Sequence, residues 1–127
     1  IANPEIIKVN QAWHGHAGSA YALSSKRTKL GPNSLLDSMY DDDDIEFPSW
    51  QMFYKPIDAS STAVLVLNSA ELPATLTVDF GQVPDTPCLV TCALRDLFDR
   101  TDIGIHQTNY TFLVDAHDAA FFLLKRP

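Results

Sequence analysis

Four consecutive aspartates, Asp41 to Asp44, with Glu46 two positions further on, form the densest group of titratable side chains in this sequence. Carboxylates that cleave a glycosidic or peptide bond need one member with a raised pKa in a water-poor site. The pair must also be held apart by roughly 5 to 9 Å. Four adjacent aspartates in a loop repel one another and stay hydrated, so they meet neither condition. A calcium loop needs oxygen ligands at alternate positions and a glycine at the sixth, but "DDDDIEFPSW" supplies Ile45, Phe47 and Pro48. The run reads as a solvated loop, and no catalytic residue is assigned in this chain.

The other reactive side chains are sparse. His14 and His16 in "WHGHAG" would point the same way in an extended segment, but two ligands are not a zinc site, and His106 and His117 lie far away in sequence. No metal or cofactor is expected. Cys88 and Cys92 are four residues apart, and in a continuous strand that spacing separates them by roughly 13 Å. That is too far for a disulfide, so both are expected to be free thiols or buried. No phosphate-cradling glycine loop, nucleophile elbow or zinc-spaced cysteine pair is present. Trp13, Tyr21, Tyr40, Trp50 and Tyr54 could stack on sugar rings, although most sit in apolar stretches that suit core or interdomain packing better. "NYT" at Asn109 to Thr111 fits the acceptor pattern for N-glycosylation. Strand alternation puts Tyr110, Phe112 and Val114 on one face, which leaves Asn109 and Thr111 pointing outward.

Any of these groups must be positioned by an all-β scaffold. The 127 residues are enough for one domain with a sizeable core, at 46% hydrophobic and 20% charged composition. The net charge of -7 disfavours nucleic acid and acidic membrane surfaces as partners. No apolar run approaches the roughly 18 residues of a membrane span. The N-terminus shows no charged-then-apolar leader, so any signal peptide is expected to have been removed or to belong to a longer precursor. "NPEIIKVNQ" predicts a helix from about Pro4 to Asn10, with Asn3 as N-cap, Pro4 in the first helical position and Glu5 at the positive end of the dipole. Two turns carrying Ile6, Ile7 and Val9 do not hold themselves up in water, so this helix needs a partner surface.

Beyond Gln11 the pattern becomes extended. "SAYALSS" predicts a first strand, residues 26–48 a long acidic loop, and "SWQMFYKP", "STAVLVLNS", "ATLTVDF", "CLVTCALRDLF", "HQTNYTFLVDA" and "AAFFLLKR" the strands that follow. Turn signals fall at 56–61, at Glu71 and Pro73, at 81–87 and at 99–104. The expected fold is an antiparallel β-sandwich, Greek-key-like, of about six to eight strands. In "ATLTVDF", Leu76, Val78 and Phe80 alternate with Thr75, Thr77 and Asp79, the pattern of a sheet wet on one side. "AVLVL" and "AAFFLL" are apolar at every position, so the outer side of one sheet needs a cover. An apolar patch is expected around Trp50, Phe53 and Tyr54, or on the outward residues of 63–67.

Specific motifs agree with this outline. "NPEIIKVNQAWHGHAG" resembles the segment with which the melibiases, the alpha-galactosidases and alpha-N-acetylgalactosaminidases of glycoside hydrolase family 27, leave their catalytic barrel. Val9, Asn10 and Gln11 match its Val/Ile-Asn-Gln motif. "WQMFYKP" resembles the family's Trp-x-x-x-x-Lys-Pro strand, "STAVLVLNSAELPATLTVDF" the apolar strand ending in Asn and its successor, and "LRDLFDRTDIG" the Arg-Asp-Leu-Trp stretch. "DAAFFLLKR" is similar to the final strand. Phe98 stands where the family usually has Trp, and the acidic stretch is longer than is typical.

The resemblance implies that residues 1–12 are the end of a preceding (β/α)8 barrel with its linker, and that 13–127 form the C-terminal β-domain. The two aspartates of retaining hydrolysis would then lie upstream, on the barrel, and no position here matches them. The implied partner is that barrel within the same precursor, with Ile6, Ile7, Trp13, Trp50, Phe53 and Tyr54 as docking candidates. The implied location is the secretory pathway, whether extracellular, vacuolar or lysosomal. Two alternatives remain at this point: a carbohydrate-binding module that presents Trp13 or Tyr54 to galactosides or other glycans, and a structural or interaction protein that keeps the fold without the activity.

Overall fold

A computed structural model of the chain describes residues 3–14, 17–29 and 46–127. Asp41 to Asp44, Tyr40 and His16 lie outside the described residues. Helix α1 (Pro4–Gln11) is followed by β1 (Ser19–Leu23), β2 (Arg27–Lys29), β3 (Glu46–Pro48), β4 (Trp50–Asp58), β5 (Ser61–Asn68) and β6 (Ala74–Asp79). A 3₁₀ turn (Phe80–Gln82) leads to β7 (Thr91–Asp96), β8 (Thr101–Gln107), β9 (Asn109–Val114) and β10 (Asp118–Lys125).

The strands form an antiparallel β-sandwich. One sheet has six strands in the order β1-β4-β5-β10-β7-β8, and β6 pairs with β9 in a two-stranded sheet. β10 closes the large sheet between β5 and β7, a position that the chain reaches only after visiting the small sheet twice. Even-numbered residues of the large sheet's central strands turn inward. Met52, Val64, Val66, Cys92, Leu94, Phe122 and Leu124 meet Leu76, Val78 and Val114 of the small sheet in one core. Tyr110, Phe112 and Phe122 add a ring cluster with centroids 4.8 to 5.6 Å apart. β6 follows the expected alternation, with Leu76 and Val78 buried and Thr75 and Thr77 exposed.

The described residues hold ten strands, against the six to eight expected. Two extra ones come from the stretch read as a loop over 26–48, whose ends pair as a short ribbon with Thr28 opposite Phe47. A third arises because "HQTNYTFLVDA" is not one strand. Thr108 adopts φ 69°, in the left-handed region, and its N–H donates to the Val90 carbonyl at 2.6 Å. That bend sends β8 to the large sheet and β9 to the small one. "DRTDIG" was expected to be a turn, but β8 already starts at Thr101, and Gly104 (φ 100°) sits close to the bulge against Leu94 and Arg95.

The cysteine expectation is overturned: Cys88 and Cys92 form a disulfide, with Cα atoms 5.4 Å apart. The strand distance does not apply because β7 begins only at Thr91. The chain from 83 to 90 runs through turns and bends, with Asp85 at φ 55°. Both cysteines are buried. Closing so short a loop contributes on the order of 2 kcal/mol.

Two local features align β1 and β4. Gly18 has φ 105°, and a Cβ there would stand 2.9 Å from the Tyr54 carbonyl oxygen, so only glycine lets the approach to β1 pass over β4. Pro56 lies within β4 yet breaks no ladder, because β1 pairs no further than Tyr54 and the β4–β5 register shifts between Pro56 and Asp58. Among the described residues no helix is long and apolar enough to cross a membrane.

Candidate docking surface

The outer face of the large sheet carries the odd-numbered residues, and the pairing registers arrange them in rows. Lys55 of β4 lies opposite Ala63 of β5, Ala63 opposite Leu123 of β10, and Leu123 opposite Arg95 of β7. Four strands span about 14 Å at the usual interstrand spacing. Helix α1, with eight residues, is about 12 Å long. It lies along this row and is held at both ends.

At the N-terminal end the Asn3 side-chain oxygen accepts from the N–H groups of Glu5 (3.0 Å) and Ile6 (3.4 Å), while Asn3 Nδ2 donates to the Leu97 carbonyl at 2.6 Å. One residue thus caps the helix and fastens it to the turn after β7. Glu5 accepts from Arg95 Nε at 2.6 Å and Nη2 at 3.3 Å, a bidentate pair, and Arg95 also donates to Asp102 (2.9 Å) and to the Arg100 carbonyl (2.9 Å). At the C-terminal end Lys55 Nζ donates to the carbonyls of Val9 (2.7 Å) and Asn10 (3.1 Å) in the last turn, and the Val9 carbonyl also accepts from the Ala12 N–H at 3.3 Å. Between the two ends Val9 is buried with Ala63 and Leu97, flanked by Ile6, Ile57, Phe121 and Leu123. This is the partner surface that a two-turn helix requires.

The Arg95 hydrogen bond holds the Glu5 carboxyl below its ordinary value near 4.5. Partial burial opposes that effect, and the charges of Arg95 and Arg100 reinforce it. A depressed carboxyl pKa contributes stability above the unfolded value and loses it as pH falls through the folded value. Helix docking is therefore expected to weaken below about pH 4.5, the ordinary value. The gap in urea midpoint between wild type and Glu5→Gln should be present at pH 6 and close towards pH 3. A gap that is constant across that range would remove the ion pair as its source.

The next row, Phe53 opposite Leu65 and Leu65 opposite Phe121, is left beside the helix. It forms the floor of an open cleft of about 370 Å³, bounded by Val9 and Asn10 at the end of α1 and by residues 17–20 at the entry to β1. Phe53, Leu65 and Phe121 are each half-buried. The apolar surface expected on the outward residues of 63–67 is found here.

The six docking candidates fall into two groups. Ile7 and Trp13 are 40% and 70% exposed, and Phe53 lies in the cleft. Ile6 packs on the Val9 cluster, while Trp50 and Tyr54 face the interior core, where Tyr54 meets the Tyr21 ring edge-on at 5.9 Å. Asn109 is exposed on the far side of the sandwich. His14 and His117 are exposed, and the half-buried His106 meets the Tyr110 ring at 4.8 Å with the planes tilted by 58°. No three His, Cys, Asp or Glu side chains converge as metal donors among the described residues. The clamp residues Lys55 and Arg95 carried no role in the sequence reading. Their only signal was membership of the Lys-Pro and Arg-Asp-Leu motifs, both of which converge on α1.

The motifs and the sandwich meet in one comparison: the model of the alpha galactosidase C-terminal beta sandwich domain matches residues 48–124. The chain belongs to that family. Solved structures with the same fold include the glycoside hydrolase family 27 β-L-arabinopyranosidase of Geobacillus stearothermophilus in complex with arabinose, at 15% identity and TM-score 0.71. That match covers 99% of this chain and 23% of the other. Alpha-galactosidase I of Mortierella vinacea is similar at 17% identity and TM-score 0.70, over 96% of this chain and 26% of that one. The alpha-galactosidase of Saccharomyces cerevisiae solved with raffinose is similar at 14% identity and TM-score 0.67, over 97% and 35%. The melibiase C-terminal domain thus spans about a quarter to a third of the length of these relatives. Comparison with curated proteins returns no match.

Proposed function

We propose that this chain is the non-catalytic C-terminal domain of a retaining alpha-galactosidase-like glycoside hydrolase, and that it packs on and stabilises a catalytic (β/α)8 barrel of the same precursor. The observation that carries the reading is the apolar row Phe53–Leu65–Phe121 beside α1, which forms an open cleft among the described residues. A partner there would complete the cover that α1 begins. In this reading Ile7, Trp13 and Phe53 supply the contact, while Ile6, Trp50 and Tyr54 are engaged within the domain. α1 joins the two bodies, and its clamp transmits the orientation of the barrel to the sheet. The precursor travels the secretory pathway, a reading supported by the Cys88–Cys92 disulfide, which persists in oxidising compartments.

The coding sequence upstream of Ile1 is expected to specify a barrel with a Lys-Tyr-Asp-type nucleophile strand. The isolated chain is expected to leave a chromogenic alpha-galactoside intact. In the full-length protein Phe53→Asp should cost about 2 kcal/mol or more by burying a carboxylate in the interface. It should lower the temperature at which galactosidase activity is lost, with little effect on unfolding of the isolated domain. Turnover by the isolated chain, an unrelated upstream domain, or an unchanged inactivation temperature would each overturn the proposal.

A second reading, a carbohydrate-binding module, is favoured by the 70% exposure of Trp13. It requires that galactose quench the fluorescence of the isolated chain and that Trp13→Phe abolish the quenching.

A further inference from the structure

We propose that Asn109 carries an N-linked oligosaccharide, a modification that rests on the secretory reading above. Asn109 opens β9, opposite Asp79 of β6, and Thr111 lies opposite Thr77. Both sequon residues are exposed, whereas Phe112 and Val114 of the same strand belong to the core. Asn109 and Thr111 therefore share the solvent face of the two-stranded sheet. Thr111 Oγ1 is 2.8 Å from Thr77 Oγ1, an exposed pair on that face. The position between them is Tyr110, not proline, so the acceptor pattern is intact.

The fold supplies an observation independent of the motif. Immediately before the sequon, the Thr108 N–H is bonded to the Val90 carbonyl, inside the loop closed by the Cys88–Cys92 disulfide. The sequon is thus attached to a bond that forms in the compartment where glycans are transferred. The transfer is a substitution at carbon. Asn109 Nδ2 forms a bond to the anomeric carbon of a lipid-pyrophosphate-linked oligosaccharide and loses a proton, while the bond from that carbon to the phosphate oxygen breaks and the lipid pyrophosphate leaves.

Placement makes the glycan compatible with docking. The Asn109 face belongs to the small sheet and the Phe53–Leu65–Phe121 cleft to the outer face of the large one. The two faces are separated by both sheets and the core between them, a layer spacing of about 10 Å before side chains and backbone on either side are added. A bulky sugar on one leaves the other open.

The test is intact-mass analysis of the chain secreted from a eukaryotic cell behind a cleavable leader, before and after treatment with a peptide-N-glycosidase. The expected result is an increment of hexose and N-acetylhexosamine that the glycosidase removes, leaving aspartate at position 109. Asn109→Gln and Thr111→Ala should abolish the increment and Thr111→Ser should keep it, which separates loss of the acceptor from loss of the strand. A secreted chain with its disulfide closed and an unmodified mass would overturn the glycan and leave the secretory reading standing. Free thiols at Cys88 and Cys92 together with an unmodified mass would overturn both that reading and the glycan.

Discussion

Asn68→Ala is expected to lower the unfolding free energy by about 3 kcal/mol. Asn68 ends β5, is 2% exposed, and uses both ends of its amide. Nδ2 donates to the carbonyls of Leu72 (3.0 Å), Val114 (3.1 Å) and Asp115 (3.1 Å), and the side-chain oxygen accepts from the Ala70 N–H at 3.1 Å. Val114 belongs to β9 of the small sheet, so this one side chain stitches the two sheets together and shapes the turn into β6. Alanine leaves the buried Val114 carbonyl without that donor, and an unsatisfied buried acceptor costs more than a typical hydrogen bond contributes. Asn68→Asp should be worse at neutral pH, because a carboxylate offers three carbonyls no proton. A urea titration measures both variants. A loss below about 1 kcal/mol for alanine, the net value of a single ordinary bond, would mean that the stitch is dispensable.

Leu97→Ala should have an effect of the same size, about 3 kcal/mol, by a different route. The Leu97 side chain is 1% exposed and sits with Val9 and Ala63 beneath α1, and its carbonyl receives Asn3 Nδ2. Truncation opens a cavity under a helix that has little stability of its own. Hydrogen exchange should therefore show the α1 amides losing protection ahead of those in β5 and β10. Phe98 is the internal control. It is adjacent in sequence but 48% exposed, with one ring contact to Phe121 at 5.8 Å, so Phe98→Ala should cost under about 1 kcal/mol. Equal losses for the two variants, or uniform loss of protection across the domain, would contradict α1 as a separately clamped element.

Much of the scaffold was legible in the residues. The α1 N-cap was readable because Asn3-Pro4-Glu5 is a local signal whose energetics involve neighbours only. The wet and dry faces of β6 were readable for the same reason, since alternation is written in consecutive side chains. The continuous apolar runs at 63–67 and 119–124 called for a cover on the outer side as well as the inner, yet could not say that the chain's own helix provides part of it. Trp50 and Tyr54 could not be separated from Phe53 as docking candidates, because aromatic content shows no facing until the strand's parity is tied to a partner. The Cys88–Cys92 estimate failed where a run of turn residues was treated as a strand, and distance depends on conformation more than on spacing.

The sequence by itself determined the opening helix, the mostly antiparallel β architecture, the wet and dry sides of β6 and the resemblance to the melibiase C-terminal family, since these depend on local periodicity and on motif identity. Only the tertiary structure decided that Lys55, Ala63, Leu123 and Arg95 fall in one line. That line turns two unremarked cations into the ends of a helix clamp. The physical reason is that strand register is a long-range choice: a one-residue slip in any of three pairings would carry one of these side chains to the opposite face. The choice is settled by the packing of the whole core, to which no single segment holds the key.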